Sequence, residues 1–419
     1  MLLPLRIIGP EPDDMRFDME STLRHADTQR QDVLSQYPEQ IRQIISSFAE
    51  GVCARDSNGE AGVLLVGSTS RGELSYTGVN GTLRLFSDLE FIIASDGIDG
   101  LGKAAIKSLA EDLRRASGFG GLFKIDFTII PWRKIPKLNR TFFLFESRSK
   151  GVDLGQLPVS DRLPRVTIEN INWRELNEVF LHRMAAIVAG VPSGLLGGGA
   201  YDLQSFAMLL AKNSLDVTTW LHPYLTRSLT AGFTGRLNEL AEMPESKIEA
   251  ALGGAGIRHL QRCLALRRNP NGAVDIEEML NSTTELYFSA LRFAVEENRV
   301  RDGGVGAAMN SIRLFDEYRP GPRVRSLLAW RRCVSMLGVR GGVKTLLLPW
   351  KGRYAIACLY LLASLRSHVC RDGNELSWLN KARLKARGFT SLEVVEPSDF
   401  SNAWLDVQRR LVGVKSLCS

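Results

Sequence analysis

Val63-Leu64-Leu65-Val66 runs apolar without interruption and stops at Gly67-Ser68. A short apolar run of this kind reads as a strand buried on both faces, so the chain must cover two sides of a sheet. Two further segments, Ser87-Asp88-Leu89-Glu90-Phe91-Ile92-Ile93 and Phe123-Lys124-Ile125-Asp126-Phe127-Thr128-Ile129-Ile130, also have strand character. Strand side chains alternate between faces, which sends Asp88 and Glu90 one way and Leu89 and Phe91 the other. Asp126 and Thr128 likewise share a face opposite Ile125, Phe127 and Ile129. Adjacent strands would therefore gather three carboxylates.

Three anionic groups at close range repel one another, and divalent cations are the usual means of neutralising them. Hard oxygen ligands with positions left for substrate phosphates suit Mg²⁺ or Mn²⁺. The Gly67-Ser68 turn complements the acids. Glycine lets the backbone approach a phosphate chain, and the Ser68 hydroxyl can donate to a phosphate oxygen or cap a following helix. Taken singly, Gly67-Ser68 is as readily an ordinary strand-to-helix turn, and Asp88 with Glu90 as readily a solvated strand face. Their ordered occurrence on apolar strand patterns favours a two-metal phosphoryl-transfer site.

Over roughly residues 60–155 the chain resembles the nucleotidyltransferase superfamily of DNA polymerase beta. Members carry an apolar strand, a Gly-Ser or Gly-Gly turn, an acid-x-acid pair and a third acid on a later strand. Gly67 and Ser68 match the turn, Asp88 and Glu90 the pair, and Asp126 the third acid; Arg71-Gly72 resembles the Gly-Ser-x-x-Arg-Gly form of bacterial members. The resemblance implies an N-terminal mixed sheet with flanking helices and a nucleoside triphosphate held at Gly67, Ser68 and Arg71. It also implies a lysine on a helix after the sheet, a position that Lys212 in Leu209-Leu210-Ala211-Lys212-Asn213-Ser214 resembles; an exposed helical lysine is the plainer alternative. Two features depart from the pattern. The spacer between Ser68 and Asp88 is long, its Tyr76-to-Thr82 portion reading as an inserted turn or hairpin, and the second acid is Glu90 where many members have Asp.

A chain of 419 residues accommodates two or three domains, and 44% hydrophobic with 24% charged residues fits a soluble globular protein. The opening Met1-to-Ile8 segment is too short and broken for a secretory signal, and Tyr354–Leu365, at about 12 residues, is too short to span a bilayer. The expectation is a cytoplasmic protein with no membrane partner. The six cysteines lack paired spacing, which leaves zinc and redox motifs unsupported, and the five histidines lack metal-ligand spacing. Each histidine reads as structural before catalytic, with His222, near the inferred cleft, as the exception. The net charge is +7, with lysines and arginines concentrated between Arg313 and Arg353 and again at Lys381, Arg383, Lys385 and Arg387. Such stretches bind nucleic acid or another polyanion, or form a solvated basic face.

The fold class expected is α/β, in the α+β sense. Residues 1–160 form a nucleotidyltransferase-like domain with an arm and a helix over Gln29–Val52; residues 161–419 form an α-helical domain, possible to subdivide near 300–320. Strands are expected at 62–67, 86–94, 123–131 and over Thr141–Phe145, with a helix over Gly102–Ser117. Later helices are expected at about 169–190, 201–221, 235–253, 255–268, 275–298, 323–336, 353–370, 375–386 and 401–412. The activity expected is transfer of a nucleoside monophosphate from a triphosphate to a hydroxyl of a small molecule, RNA or protein, with pyrophosphate leaving. Asp88 and Glu90 would bridge two cations about 3.5–4 Å apart, with Asp126 completing one and receiving the acceptor's proton. The alternative is a catalytically inactive nucleotide- or nucleic-acid-binding protein that retains the fold.

Overall fold

A computed structural model describes residues 32–79, 81–120, 123–196, 202–302, 350–386 and 399–415. Helix α1, Glu39–Cys53, buries Ile41, Ile44, Ile45, Phe48, Ala49 and Val52 along one stripe. The helix expected over Gln29–Val52 is broken: Asp32, Val33 and Leu34 are helical, the chain then turns, and α1 starts at Glu39 because Pro38 disfavours helical geometry at Tyr37. Strand β1, Gly62–Val66, is buried throughout and leads into a single helical turn, α2, Gly67–Ser70. The inserted hairpin follows as β2, Tyr76–Val79, and β3, Thr82–Leu85, antiparallel with Tyr76 opposite Leu85. Only Asn80-Gly81 separates them in sequence, the pair that tight hairpins favour.

Strand β4 spans Leu89–Ala94, helix α3 Gly100–Ala116, and strand β5 Ile125–Ile130. Asp99 caps α3 by accepting from the Gly102 N–H. Helix α4, Phe142–Lys150, precedes the two-residue strand β6, Val152–Asp153. The mixed sheet has the order β5-β4-β1-β6; β4 is antiparallel to β1 and parallel to β5. Its odd-numbered side chains, among them Val63, Leu65, Phe91 and Ile93, pack on α1 and α3. On the opposite face Leu64, Val66, Ile92 and Ala94 join the core of the helices that follow. One apolar cluster thus bridges the boundary expected near residue 160.

The helical region comprises α5 (Trp173–Ala189), α6 (Leu203–Thr226), α7 (Phe233–Ala241), α8 (Glu245–Leu252), α9 (Gly256–Arg268), α10 (Ile276–Asp302), α11 (Trp350–Val369), α12 (Glu375–Ala386) and α13 (Phe400–Lys415). Helix α6 is buried along most of its length and forms the axis of this region. Its Trp220 stacks at 4.3 Å on Phe180 of α5, which in turn meets Tyr287 of α10 at 5.2 Å. The protein is therefore mixed α/β, with a small mixed sheet and a predominance of helix.

Three sequence expectations are corrected. Thr141–Phe145 is the start of a helix, not a strand: the Thr141 hydroxyl accepts from the Leu144 N–H and the Glu175 carboxylate from the Phe142 N–H. The aromatic run suits a strand by propensity, but two donors satisfied at its first turn favour helix. The helix expected over 235–253 divides into α7 and α8 because Pro244 starts a new helix at Glu245. The strand expected over 86–94 is interrupted at Phe86-Ser87-Asp88, where the hairpin hands over to β4. The helix expected at 323–336, the subdivision near 300–320 and most of the basic 313–353 stretch lie outside the described residues. Among the described residues no helix is long and apolar enough to cross a membrane.

Candidate active site

The β1–β4 register sets Val66 opposite Glu90, so the turn that follows Val66 lies directly against the Glu90 side chain. Gly67 has φ +72°, and a Cβ on it would overlap the Glu90 carboxylate. Glycine is required twice at this position, by backbone conformation and by contact. Tyr37 holds the turn from outside by donating its hydroxyl to the Thr69 carbonyl at 2.6 Å. Ser70 donates to the Gly67 carbonyl at 3.1 Å. The turn carries no side-chain cap, so Ser68 is not used as a helix cap. Gly67→Ala is expected to lower stability by about 1–2 kcal/mol from backbone strain alone and to displace Glu90. Urea denaturation and a crystal structure of the variant check both.

Gly67, Ser68, Asp88 and Glu90 form one wall of a cavity of about 130 Å³ between the sheet and the helices. The opposite wall carries Arg183 from α5, Lys212 and Asp216 from α6, and Arg267 from α9. Arg71 and Glu146 lie at the junction of the walls, and Phe143, 42% exposed, presents an aromatic surface to solvent. Six of the seven residues singled out by the sequence, namely Gly67, Ser68, Arg71, Asp88, Glu90 and Lys212, thus meet in one place. Asp126 differs. It pairs in register with Glu90 on the neighbouring strand, but its side chain is exposed and does not line the cavity.

Charge is divided across this space. Burial raises the Glu90 pKa, the Lys212 and Arg71 charges oppose that rise, and Asp88 adds to it. Asp88 accepts a 2.8 Å hydrogen bond from the Lys124 N–H, which fixes its carboxylate at the start of β4. On the helical wall, burial lowers the Lys212 pKa and the Arg183 charge lowers it further, while Asp216 acts in the opposite sense. Arg183 Nε stands 2.7 Å from Asp216 Oδ2, close enough for ion pairing though outside hydrogen-bonding geometry. Burial also brings Arg267 down to about 10 against the pull of Asp216 and Glu73.

A buried ion network fastens the walls together. Arg71 Nε donates to Glu73 at 2.8 Å and Nη1 to Glu146 at 2.9 Å. Glu146 also accepts from Arg236 Nη1 at 2.8 Å and from the Gly232 N–H at 3.0 Å. Burial by itself would raise the Glu146 pKa, but Arg71 and Arg236 hold it below the ordinary carboxylate value. Arg71 is therefore committed to joining the turn to α4, with its guanidinium 5.5 Å from the Phe233 ring.

Arg183, Glu146, Asp216, Arg236 and Arg267 were not identified from the sequence. Arg236 and Arg267 nevertheless leave a trace there: each occupies a buried stripe position, Arg236 with Phe233, Leu237 and Leu240, and Arg267 with His259, Leu260 and Cys263. His222 proves to be outside the cavity lining, fully buried and 2.9 Å from Glu239.

The donor set fits a hard cation. Mg²⁺ commonly takes one or two protein carboxylates and completes its shell with water and substrate phosphate, which Asp88 and Glu90 can supply for. Among the described residues no three or more His, Cys, Asp or Glu side chains form a closed ligand set. Comparison with protein-family models, curated proteins and solved structures gave no match to this chain.

Proposed function

We propose that this protein is a metal-dependent nucleotidyltransferase that moves a nucleoside monophosphate from a nucleoside triphosphate to a hydroxyl acceptor. One observation carries the proposal: the Asp88-Glu90 pair and the cations Lys212 and Arg267 face each other across a cavity walled by Gly67-Ser68. Carboxylates at one side call for cations, and ammonium and guanidinium groups at the other call for anions. A metal-bound triphosphate has both.

In this reaction the acceptor oxygen forms a bond to the α-phosphorus as the bond to the bridging oxygen breaks, and pyrophosphate leaves with that electron pair. Asp88 and Glu90 would hold Mg²⁺ or Mn²⁺, whose chemistry is to acidify the acceptor hydroxyl and offset phosphate charge. Ser68 donates its hydroxyl to an outer phosphate oxygen, and Lys212 offsets the charge on the departing pyrophosphate. Asp126, exposed beside Glu90, receives the acceptor's proton. The cavity is small for a whole nucleotide, so phosphate occupies it while sugar and base lie toward Phe143, whose ring offers a stacking surface.

Incubation of the full chain with each labelled nucleoside triphosphate, Mg²⁺ or Mn²⁺ and cell extract tests this directly. A labelled product with release of pyrophosphate is expected. Triphosphate binding by calorimetry without product under any acceptor condition would instead favour the non-catalytic binding protein, a reading to which the outlying position of Asp126 lends support.

A further inference from the structure

We infer that Arg267, together with Lys212, forms a polyphosphate subsite that engages the terminal phosphate groups of the substrate without needing a metal ion. Arg267 is 3% exposed at the last turn of α9. Its Nη2 donates to the Glu73 carbonyl at 3.0 Å and to the Ser87 hydroxyl at 3.2 Å. Its Nε and Nη1 are buried and have no hydrogen-bond partner, and no described carboxylate forms an ion pair with it. Buried charges are ordinarily paired, because leaving one unpaired is among the costlier arrangements in a folded interior.

The surroundings point to the class of ligand. Arg183 and Arg267 each depress the Lys212 pKa, burial being the larger cause, so three cations share one wall, on which the Asp216 carboxylate offsets only part of their repulsion. An anion between them relieves that repulsion. Guanidinium groups present several N–H donors in a rigid fork matched to phosphate oxygens, and two donors of this fork are unused. The cavity volume of about 130 Å³ suits phosphate groups better than a base and sugar. Arg267 is also tied to both parts of the sheet-borne wall, through Glu73 just after the Gly67-Ser68 turn and through Ser87 just before Asp88. A phosphate on its free side is thereby registered against the acid pair.

The inference rests on the transferase reading for the identity of the anion, but its test does not require turnover. Full-length chain in EDTA is titrated calorimetrically with sodium tripolyphosphate, pyrophosphate and orthophosphate. Tripolyphosphate and pyrophosphate are expected to bind, orthophosphate much more weakly. Arg267→Met should weaken tripolyphosphate binding by about 10- to 100-fold, the range for a lost charge-assisted hydrogen bond. Arg267→Lys, which keeps charge and loses the fork, should fall between. The thermal midpoint supplies a second readout: at one tripolyphosphate concentration the rise for Arg267→Met should be clearly smaller than for wild type. If Arg267→Met does not fold, Arg267→Lys decides, since equal affinity there would overturn the inference. Failure of wild type to bind tripolyphosphate in EDTA would also overturn it. Polyphosphate binding without nucleotidyl transfer would refute the transferase reading alone; transfer with binding indifferent to Arg267 would refute this inference alone.

Discussion

Asp88→Asn and Glu90→Gln should each slow formation of labelled product by about a thousandfold or more, the scale of losing a principal electrostatic contact to a transition state. Both substitutions preserve shape and remove one negative charge from the wall that faces Lys212. Neither should prevent folding. Glu90 is a half-buried carboxyl whose neighbour Asp88 works against its ionisation, so neutralising either group removes repulsion within the fold. Cooperative melting of both variants, together with lost turnover, is the expected pattern. Asp126→Asn should behave differently because its side chain is exposed and stands apart from the cavity lining. As the acceptor's proton-receiving group it is expected to cost about a hundredfold, with partial recovery as rising pH lets solvent take the proton. A thousandfold loss at all three positions would place Asp126 with the metal-holding pair instead. Wild-type rates in Asp88→Asn or Glu90→Gln would end the transferase proposal.

The sheet was legible because burial on both faces leaves little choice. The Val63–Val66 run and the alternation around Asp88 and Asp126 each fix a strand and its two faces, and the observed register carries that alternation across β1, β4 and β5. Local composition misled where tertiary donors and acceptors decided the outcome. Thr141–Phe145 has the composition of a strand, yet its helical start depends partly on Glu175, more than thirty positions away. The same distinction runs through the site. Gly67, Ser68, Asp88 and Glu90 were visible because they sit at or beside strand ends with a legible local pattern, the turn directly after β1 and the acids just before and within β4. Arg236 and Arg267 act through partners remote in sequence, and their only local sign is a charge on an otherwise apolar helical stripe. A charge in that position requires an answering group, which periodicity alone does not name.

Glu146 is where that requirement has its largest consequence for stability. Its carboxylate answers Arg71 and Arg236 at once, and Arg236 is 0% exposed, bonded further to Thr218, Thr219 and the Thr230 carbonyl. Replacing Glu146 with Gln keeps the volume but leaves two guanidinium groups facing a neutral amide. Breaking a buried pair from one side typically costs about 3–5 kcal/mol, and Glu146→Gln should fall in that range by urea denaturation at neutral pH. The sign with pH follows from the depressed folded-state pKa. Stability from this carboxylate is complete above the ordinary carboxylate pKa and is lost as pH falls through the lower folded value. Wild type should therefore lose stability in acid faster than Glu146→Gln, and the gap between them should narrow below about pH 4. Combining Glu146→Gln with Arg236→Met should recover part of the loss, since Arg236 is the cation left without a carboxylate whereas Arg71 keeps Glu73. The network also joins the Gly67-Ser68 turn to the helix that contributes Phe143, so its release should impair transfer even under conditions where the variant stays folded. A neutral-pH loss below about 1 kcal/mol would show that solvent, rather than Glu146, neutralises these arginines.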